Sequence, residues 1–371
     1  MLIGNVLEKT DAQAAWQLCA DKLADWVRTS WLDHTSAGDK RWEEAFHEDP
    51  NALPGLQIEG FKGLVGLDYI FINKIIKTAE EMRPPFIAIV GSPVPAIIGT
   101  DYASICKEVE DSTNIPCISV STTGFNDYAR GIEKSYLALE RFIEHEEEKD
   151  DRLVNIIGYN VVDYYDDKDL EVFKKRLESE GYRVNCVLGN SPVEDIRHMT
   201  RAGINLVVST SGLKYALSLQ RRFGMPMSVD FSLADGKVER QTDVDVKVMI
   251  IGDQIISNVM RGYLEAKFGC ECDVVTFFTF EKSLGRPNDA KVYDEFDFNP
   301  LLDRGYDLII GDPTFRSILP EDMNYVDIPH PAVSSRLYWD RYIPLFSEEL
   351  RSKLDDALMA LGAGSGTEHR E

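Results

Sequence analysis

The feature that most constrains this chain is one pattern written three times: a short apolar strand, a polar loop, a helix, and a return to another strand. It begins first at Phe86-Ile-Ala-Ile-Val90 and again at Leu153-Val-Asn-Ile-Ile-Gly158. The second copy continues through a helix over 166–180, a strand at Tyr182-Arg-Val-Asn-Cys-Val-Leu188, a helix over 191–201, a strand at Ile204-Asn-Leu-Val-Val-Ser209 and a helix to Phe223. The third opens at Asp245-Val-Lys-Val-Met-Ile-Ile-Gly-Asp253. A helix over 255–268 follows, then strands at Asp273-Val-Val-Thr-Phe-Phe278 and Tyr306-Asp-Leu-Ile-Ile-Gly-Asp312. Near-continuous apolar strands alternating with helices belong to parallel sheets covered on both faces. The expected fold class is α/β, with three Rossmann-like doubly wound parallel-sheet domains around a central crevice beyond the strand carboxyl ends.

A chain of 371 residues exceeds one ordinary core, so several domains are expected. The solvated charge run at 144–152 and the polar stretch Asp235-Gly-Lys-Val-Glu-Arg-Gln-Thr-Asp243 are natural boundaries. They predict a first domain over 1–150 with an N-terminal helical extension, a second over 151–240 and a third over 241–346. A C-terminal helix and a disordered Gly/Ser-rich tail take 347–371. Trp16, Leu23, Trp26 and Val27 give residues 11–33 an apolar helical stripe.

The formal charge of -23 argues against nucleic acid or an anionic membrane as partner, because phosphates would repel it. The start has no basic n-region, and no apolar run approaches the roughly 20 residues needed to span a bilayer, so a cytoplasmic protein is expected. Six cysteines, at 19, 106, 117, 186, 270 and 272, form no C-x-x-C pair. Cys106 on a helix face, and Cys117 and Cys186 in strands, read as buried packing thiols. Cys270-Glu-Cys272 reads as a strand pair whose thiols point the same way.

Three strand ends carry hydroxyls: Ser92 with Thr100, Thr122 with Thr123, and Ser209 with Ser211. Together with Asn258 they are the candidate ligand-binding residues. Hydroxyls and backbone amides at such loops suit a carboxylated or phosphorylated ligand better than a bare metal ion. The alternative is that each hydroxyl caps its own helix. Gly252-Asp253 is a nucleotide-like loop without a full G-x-G-x-x-G. His198 and His330 read as structural, and no catalytic constellation stands out.

The loop Gly91-Ser-Pro-Val-Pro-Ala-Ile-Ile-Gly-Thr-Asp101, the segment Asn205-Leu-Val-Val-Ser-Thr-Ser-Gly-Leu-Lys-Tyr215 and the segments Phe223-Gly-Met-Pro226, Asn190-Ser-Pro-Val-Glu-Asp-Ile-Arg-His-Met199, Tyr306–Asp312 and Ile328-Pro-His-Pro-Ala-Val-Ser-Ser-Arg336 resemble the nitrogenase component 1 family. That family includes dark-operative protochlorophyllide reductases and cofactor scaffolds. The resemblance covers about residues 60 to 346. It implies the three-domain fold and an iron–sulfur or metal-cofactor chemistry, with a component 1-like subunit and an iron-protein reductase as partners. It also implies thiolates where Ser92 and Ser209 stand, and further cluster cysteines before the first strand, where only Cys19 occurs. Serine is a far poorer ligand for iron than thiolate, so no cluster is expected on this chain alone. The implied role is an oxidoreductase subunit in a homo- or hetero-oligomer, with any iron–sulfur cluster supplied through a partner. The alternative is a non-redox small-molecule, cofactor-binding or assembly protein using the same crevice.

Overall fold

The structure is a computed structural model that describes residues 67–365 apart from 92–94, 97–98, 147, 166, 235 and 335–336. Ser92, Cys19 and the Trp16/Trp26 stripe therefore lie outside the described residues. The chain divides into two compact units. One is built on the described residues up to Ile143 together with Gly189–Ile196. The other is built on Glu144–Leu188 and the chain from Arg197 onward.

In the first unit, α1 (Leu67–Met82), β1 (Ile87–Val90), α2 (Tyr102–Thr113), β2 (Cys117–Val120) and α3 (Tyr128–Leu139) follow in order. β1 and β2 pair in parallel, Ile87 opposite Cys117. Asp101 starts α2 by accepting from the Ser104 backbone N–H at 3.1 Å, and Asn114 ends it in the left-handed conformation that asparagine tolerates. Ile72, Ile75, Ile89, Tyr102, Ile105 and Val109 form the core between these elements.

The second unit holds two parallel sheets. β3 (Asp150–Ile157), α4 (Lys168–Ser179), β4 (Arg183–Val187), β5 (Ala202–Val207), α5 (Thr210–Phe223) and β6 (Met227–Ser228) build the first, in the order β4-β3-β5-β6. β7 (Lys247–Ile251), α6 (Gln254–Phe268), β8 (Glu271–Thr276), β9 (Ala290–Lys291), α7 (Glu295–Leu302), β10 (Leu308–Gly311) and β11 (Tyr325–Asp327) build the second, in the order β11-β10-β7-β8-β9. Every strand pairing in these two sheets is parallel. The chain reverses direction across each sheet between β3 and β5 and between β7 and β10. Such switch points open a crevice at the strand carboxyl ends.

One apolar core runs through this unit. It takes Val154 and Ile156 from β3, Val248 and Ile250 from β7, Leu308 and Ile310 from β10, and Leu350, Leu354 and Leu358 from the terminal helix α8 (Glu348–Ser365). Those three leucines recur every four residues and so share one buried face of α8. Burying each is worth about 1.5–3 kcal/mol. α8 continues through Ser365, into the stretch read from sequence as tail. Contact with the body explains this: a Cβ on Gly362 would stand 2.6 Å from Val244 Cγ1, so only glycine lets the helix approach so closely. The helix expected over 191–201 is instead a short helix, Val193–Arg197, followed by a 3-10 turn, Met199–Arg201. There the Thr200 hydroxyl accepts from the Glu146 N–H at 2.9 Å and donates to Glu144 O at 2.7 Å, which ties the turn to the incoming segment.

Candidate functional site

Both switch points of the second unit are filled by one polar cluster. Beyond β3 the chain turns at Gly158, whose φ of +93° suits glycine; a Cβ there would meet Ser209 Oγ at 2.9 Å. Gly212 lies equally close, since its Cβ would stand 2.7 Å from Gly158 N. The two glycines let the start of α5 close on the end of β3.

That approach brings side chains from distant segments together. Asn160 Nδ2 donates to Asp163 Oδ2 at 2.8 Å and to Ser211 Oγ at 3.2 Å. Ser211 Oγ also donates to Asp163 Oδ2 at 2.9 Å and lies 2.6 Å from Ser209 Oγ. Ser209 is the N-cap residue of α5 but makes no side-chain capping bond; its hydroxyl donates to Gly158 O at 2.8 Å.

Asp253, after β7, joins the two sheets. Its Oδ1 accepts from the Ile255 and Ile256 N–H groups at 3.0 and 3.2 Å and so caps α6. Its Oδ2 accepts from Thr210 N at 2.9 Å and from the Thr210 hydroxyl. Asp163 and Asp253 are each 1% exposed. Burial pushes the Asp253 carboxyl up to about 7, the nearby Asp163 charge adds to the rise, and the bonds from Thr210 and Ile256 oppose it. Asp312, after β10, accepts from His330 N at 2.7 Å and Thr314 N at 2.8 Å. His330 Nδ1 accepts from Ala332 N at 3.2 Å, which assigns the ring proton to Nε2. Nε2 is 3.8 Å from Asp163 Oδ1, and Phe278 packs on the imidazole with centroids 4.9 Å apart. A cavity of about 30 Å³, lined by Asp163, Gly252, Asp253, Ser257, His330 and Tyr342 among others, remains between them. That is room for about one water molecule.

Only some of the residues expected from sequence come together. Ser209 and Ser211 meet in this cluster. Asn258 does not join it: it donates to Leu284 O at 3.0 Å, accepts from Arg261 Nη2 at 2.5 Å, and lines a separate cavity of about 570 Å³ with Phe231 and Tyr263. In the first unit, Thr122 is fully buried with its hydroxyl donating to Gly91 O at 2.7 Å. Thr123 Oγ1 accepts from Phe125 N at 3.3 Å and Asn126 Nδ2 at 3.1 Å, a local turn. Thr100 sits half-buried beside Asp101, the residue that caps α2. Sequence reading passed over Asn160 and Asp163. The available signal was a glycine ending an apolar strand with Asn and Asp two and five residues later, in the same place as Gly252-Asp253 after β7.

The family model for nitrogenase component 1 type oxidoreductases matches residues 70–231. Over that stretch the chain is nitrogenase component 1-like. Among similar proteins, this component 1-like chain is 30% identical to the nitrogenase iron-molybdenum cofactor biosynthesis protein NifE of Sinorhizobium fredii over 168 residues, 42% of this chain and 32% of that protein. It is 25% identical to a subunit of the light-independent protochlorophyllide reductase of Zygnema circumcarinatum over 170 residues, 42% of this chain and 33% of that protein. The chain thus spans about a third of the length of the curated relatives it matches. In fold it matches a solved structure, nitrogenase Cp1 at pH 6.5, with a TM-score of 0.57 and 14% identity, covering 79% of each chain. The family resemblance and the multi-domain Rossmann-like α/β fold expected from sequence therefore hold. No helix among the described residues is long and apolar enough to cross a membrane.

The residues described do not fit an iron–sulfur cluster. The Ser209 hydroxyl is engaged with Gly158 O and Ser211, and the cavity lined by Asp163 and Asp253 holds about one water. Cys106, Cys117, Cys186, Cys270 and Cys272 are all buried in helices, strands or their approaches, away from the loops after β3, β5, β7 and β10. Among the described residues no group of three or more His, Cys, Asp or Glu could hold a metal ion.

Proposed function

We propose that this chain is a component 1-like oxidoreductase subunit that acts in the cytoplasm within an oligomer, where a partner subunit holds the metal cluster and an iron-protein reductase delivers the electrons. The observation that carries the reading is the buried cluster at Ser209. The resemblance places a cofactor-binding thiolate at this position, and a hydroxyl engaged on both sides occupies it. The second unit then supplies shape and a rigid, self-satisfied polar floor rather than a ligand. Such a subunit completes an assembly without carrying its redox centre.

The test is anaerobic purification from the native host, with iron and acid-labile sulfide measured on the complex and on the chain alone. The expected result is a cysteine-bearing component 1-like partner that retains the iron, while the reconstituted chain alone holds no stoichiometric cluster. About four irons per isolated chain with a cluster signal in electron paramagnetic resonance would refute it.

A second reading is a cofactor-binding or assembly role without turnover, favoured by the similarity to NifE, a cofactor biosynthesis protein. It predicts that the complex gains and loses a metal cofactor without catalysing substrate reduction when the reductase and ATP are supplied.

A further inference from the structure

The cavity of about 570 Å³ beside Asn258 has walls that side-chain bonds hold in place. One wall is the stripe Ile255, Asn258, Val259, Gly262 and Tyr263, which recurs at three- and four-residue steps and so runs along one face of α6. Another is the segment 229–233, just after β6. Arg176 Nη1 donates to Ser232 O at 2.7 Å and Arg351 Nη1 to Leu233 O at 2.9 Å, which fixes that segment. Asn258 Nδ2 holds Leu284 in the same way, through its carbonyl at 3.0 Å, and Leu284 also lines the cavity. No residue lining the small cavity beside Asp253 lines this one.

Two observations bear on what it takes. Gly262 is the first. It stands in the middle of α6, where glycine is the poorest residue short of proline, yet a Cβ there would meet nothing within 4 Å. Gly158, Gly212 and Gly362 let another part of the chain come close; Gly262 has no such neighbour, and its missing side chain leaves bare helix backbone as cavity wall. Charge is the second. The polar ends of Asn258 and Tyr263 are already bonded, to Leu284 O and Arg261 and to Asp355 and Lys267, and the Ser232 hydroxyl accepts from Ala234 N at 3.1 Å. The Asp230 carboxylate is exposed and makes no hydrogen bond or ion pair among the described residues. No lysine, arginine or histidine lines the cavity.

We propose that this cavity binds a small organic cation, with an apolar body against Phe231, Val259 and Tyr263 and an amine beside Asp230. The volume falls within the roughly 300–1,000 Å³ of ordinary small-molecule sites, which are mostly apolar with a few polar groups that fix orientation. Apolar burial supplies the affinity. The single unanswered carboxylate selects the sign of the charge, and the rings of Phe231 and Tyr263 also favour a cation over an anion. The inference stands apart from the oligomer reading above, since every residue it uses belongs to the second unit.

The test uses the full chain and three probes that share one apolar body and differ in the head: phenylbutylamine, phenylbutanol and phenylbutyrate, each titrated by ligand-observed NMR. The amine should bind at least about threefold more tightly than the alcohol, the scale of an exposed charge pair, and the carboxylate more weakly than either. In Asp230→Asn the amine should fall to the affinity of the alcohol while the alcohol is unchanged. Gly262→Leu puts a side chain into the cavity and should weaken all three probes at least about tenfold, with a Tm no lower than that of the parent chain. Gly262→Ala checks the open space without a ligand: its Tm should rise, because alanine suits a helix better and its Cβ meets nothing. Should the leucine variant unfold, Asp230→Asn and Gly262→Ala still decide. Failure of the amine to bind the parent chain, amine binding undiminished in a folded Gly262→Leu, or a lower Tm in Gly262→Ala would overturn the proposal. So would equal binding of all three heads, the behaviour of a groove that takes any apolar segment of another protein.

Discussion

Substituting Asp253 tests the electrostatics of the buried cluster most directly. In the folded chain this carboxyl is held at about 7, against an ordinary value of 3.8. A group raised in this way contributes stability that is fully present below 3.8 and is lost as pH rises through about 7, because over that window the native state holds a proton the unfolded state has released. Each unit of displacement corresponds to about 1.4 kcal/mol. Between pH 5 and pH 7 the Asp253 contribution should therefore fall by about 2 kcal/mol, with only a few tenths left to lose above that. Asp253→Asn has no such titration. It also places one amide N–H against backbone donors, either at Ile255 and Ile256 or at Thr210, a loss of about 1–3 kcal/mol at every pH. Urea unfolding of both proteins from pH 5 to pH 8 isolates the effect, since other titrating groups are shared and cancel in the difference. The wild-type advantage should shrink steadily to pH 7 and then level off. A difference that stays flat, or that grows with pH, would refute the argument that this carboxyl is buried with its proton.

The remaining predictions follow from single contacts. Asp163→Asn removes the second cause of the Asp253 rise, so the same unfolding series should show the pH-dependent loss ending at a lower pH. Arg261 and Asp289 form a buried ion pair at 2.7 Å, and Asp289 also accepts from the Val274 and Arg286 N–H groups, so Arg261→Met should cost about 3–5 kcal/mol in denaturant unfolding by leaving Asp289 without its cation. Gly158→Ala should cost about 1–3 kcal/mol through its left-handed backbone and its approach to Ser209, measured as a fall in Tm. Tyr342→Phe removes the hydroxyl that bonds to buried Asp169, whose other oxygen holds Phe346 N at 2.9 Å; a loss of about 1–3 kcal/mol should appear as faster hydrogen exchange in α8.

Much of this architecture is visible in sequence because its strands are written redundantly. Val154 to Ile157 and Val248 to Ile251 are apolar at every position but one, so burial on both faces follows from the residues themselves. The site is less legible because its members meet through tertiary approach. Ser211 reaches Asp163 across 48 residues and Thr210 reaches Asp253 across 43, and no local pattern encodes such distances. Ser209 was readable as a loop hydroxyl, but its partner depends on Gly158 and Gly212 letting two backbones close. Asn258 shows the converse: its place five residues past Asp253 puts it on a helix face that turns toward Leu284 and Arg261.

Asp253 also serves as a built-in counter-ion. The amino ends of α5 and α6 both aim their first N–H groups at its carboxyl, and an α-helix carries roughly half a positive charge at that end. The chain thus occupies with its own side chain the spot where a Rossmann-type sheet ordinarily receives a phosphate or carboxylate from outside. Any anion arriving at this junction competes with a tethered carboxylate, and a proton taken up near neutrality weakens that tethered rival. Shortening residue 253 to glycine would leave two helix ends facing the same vacated volume.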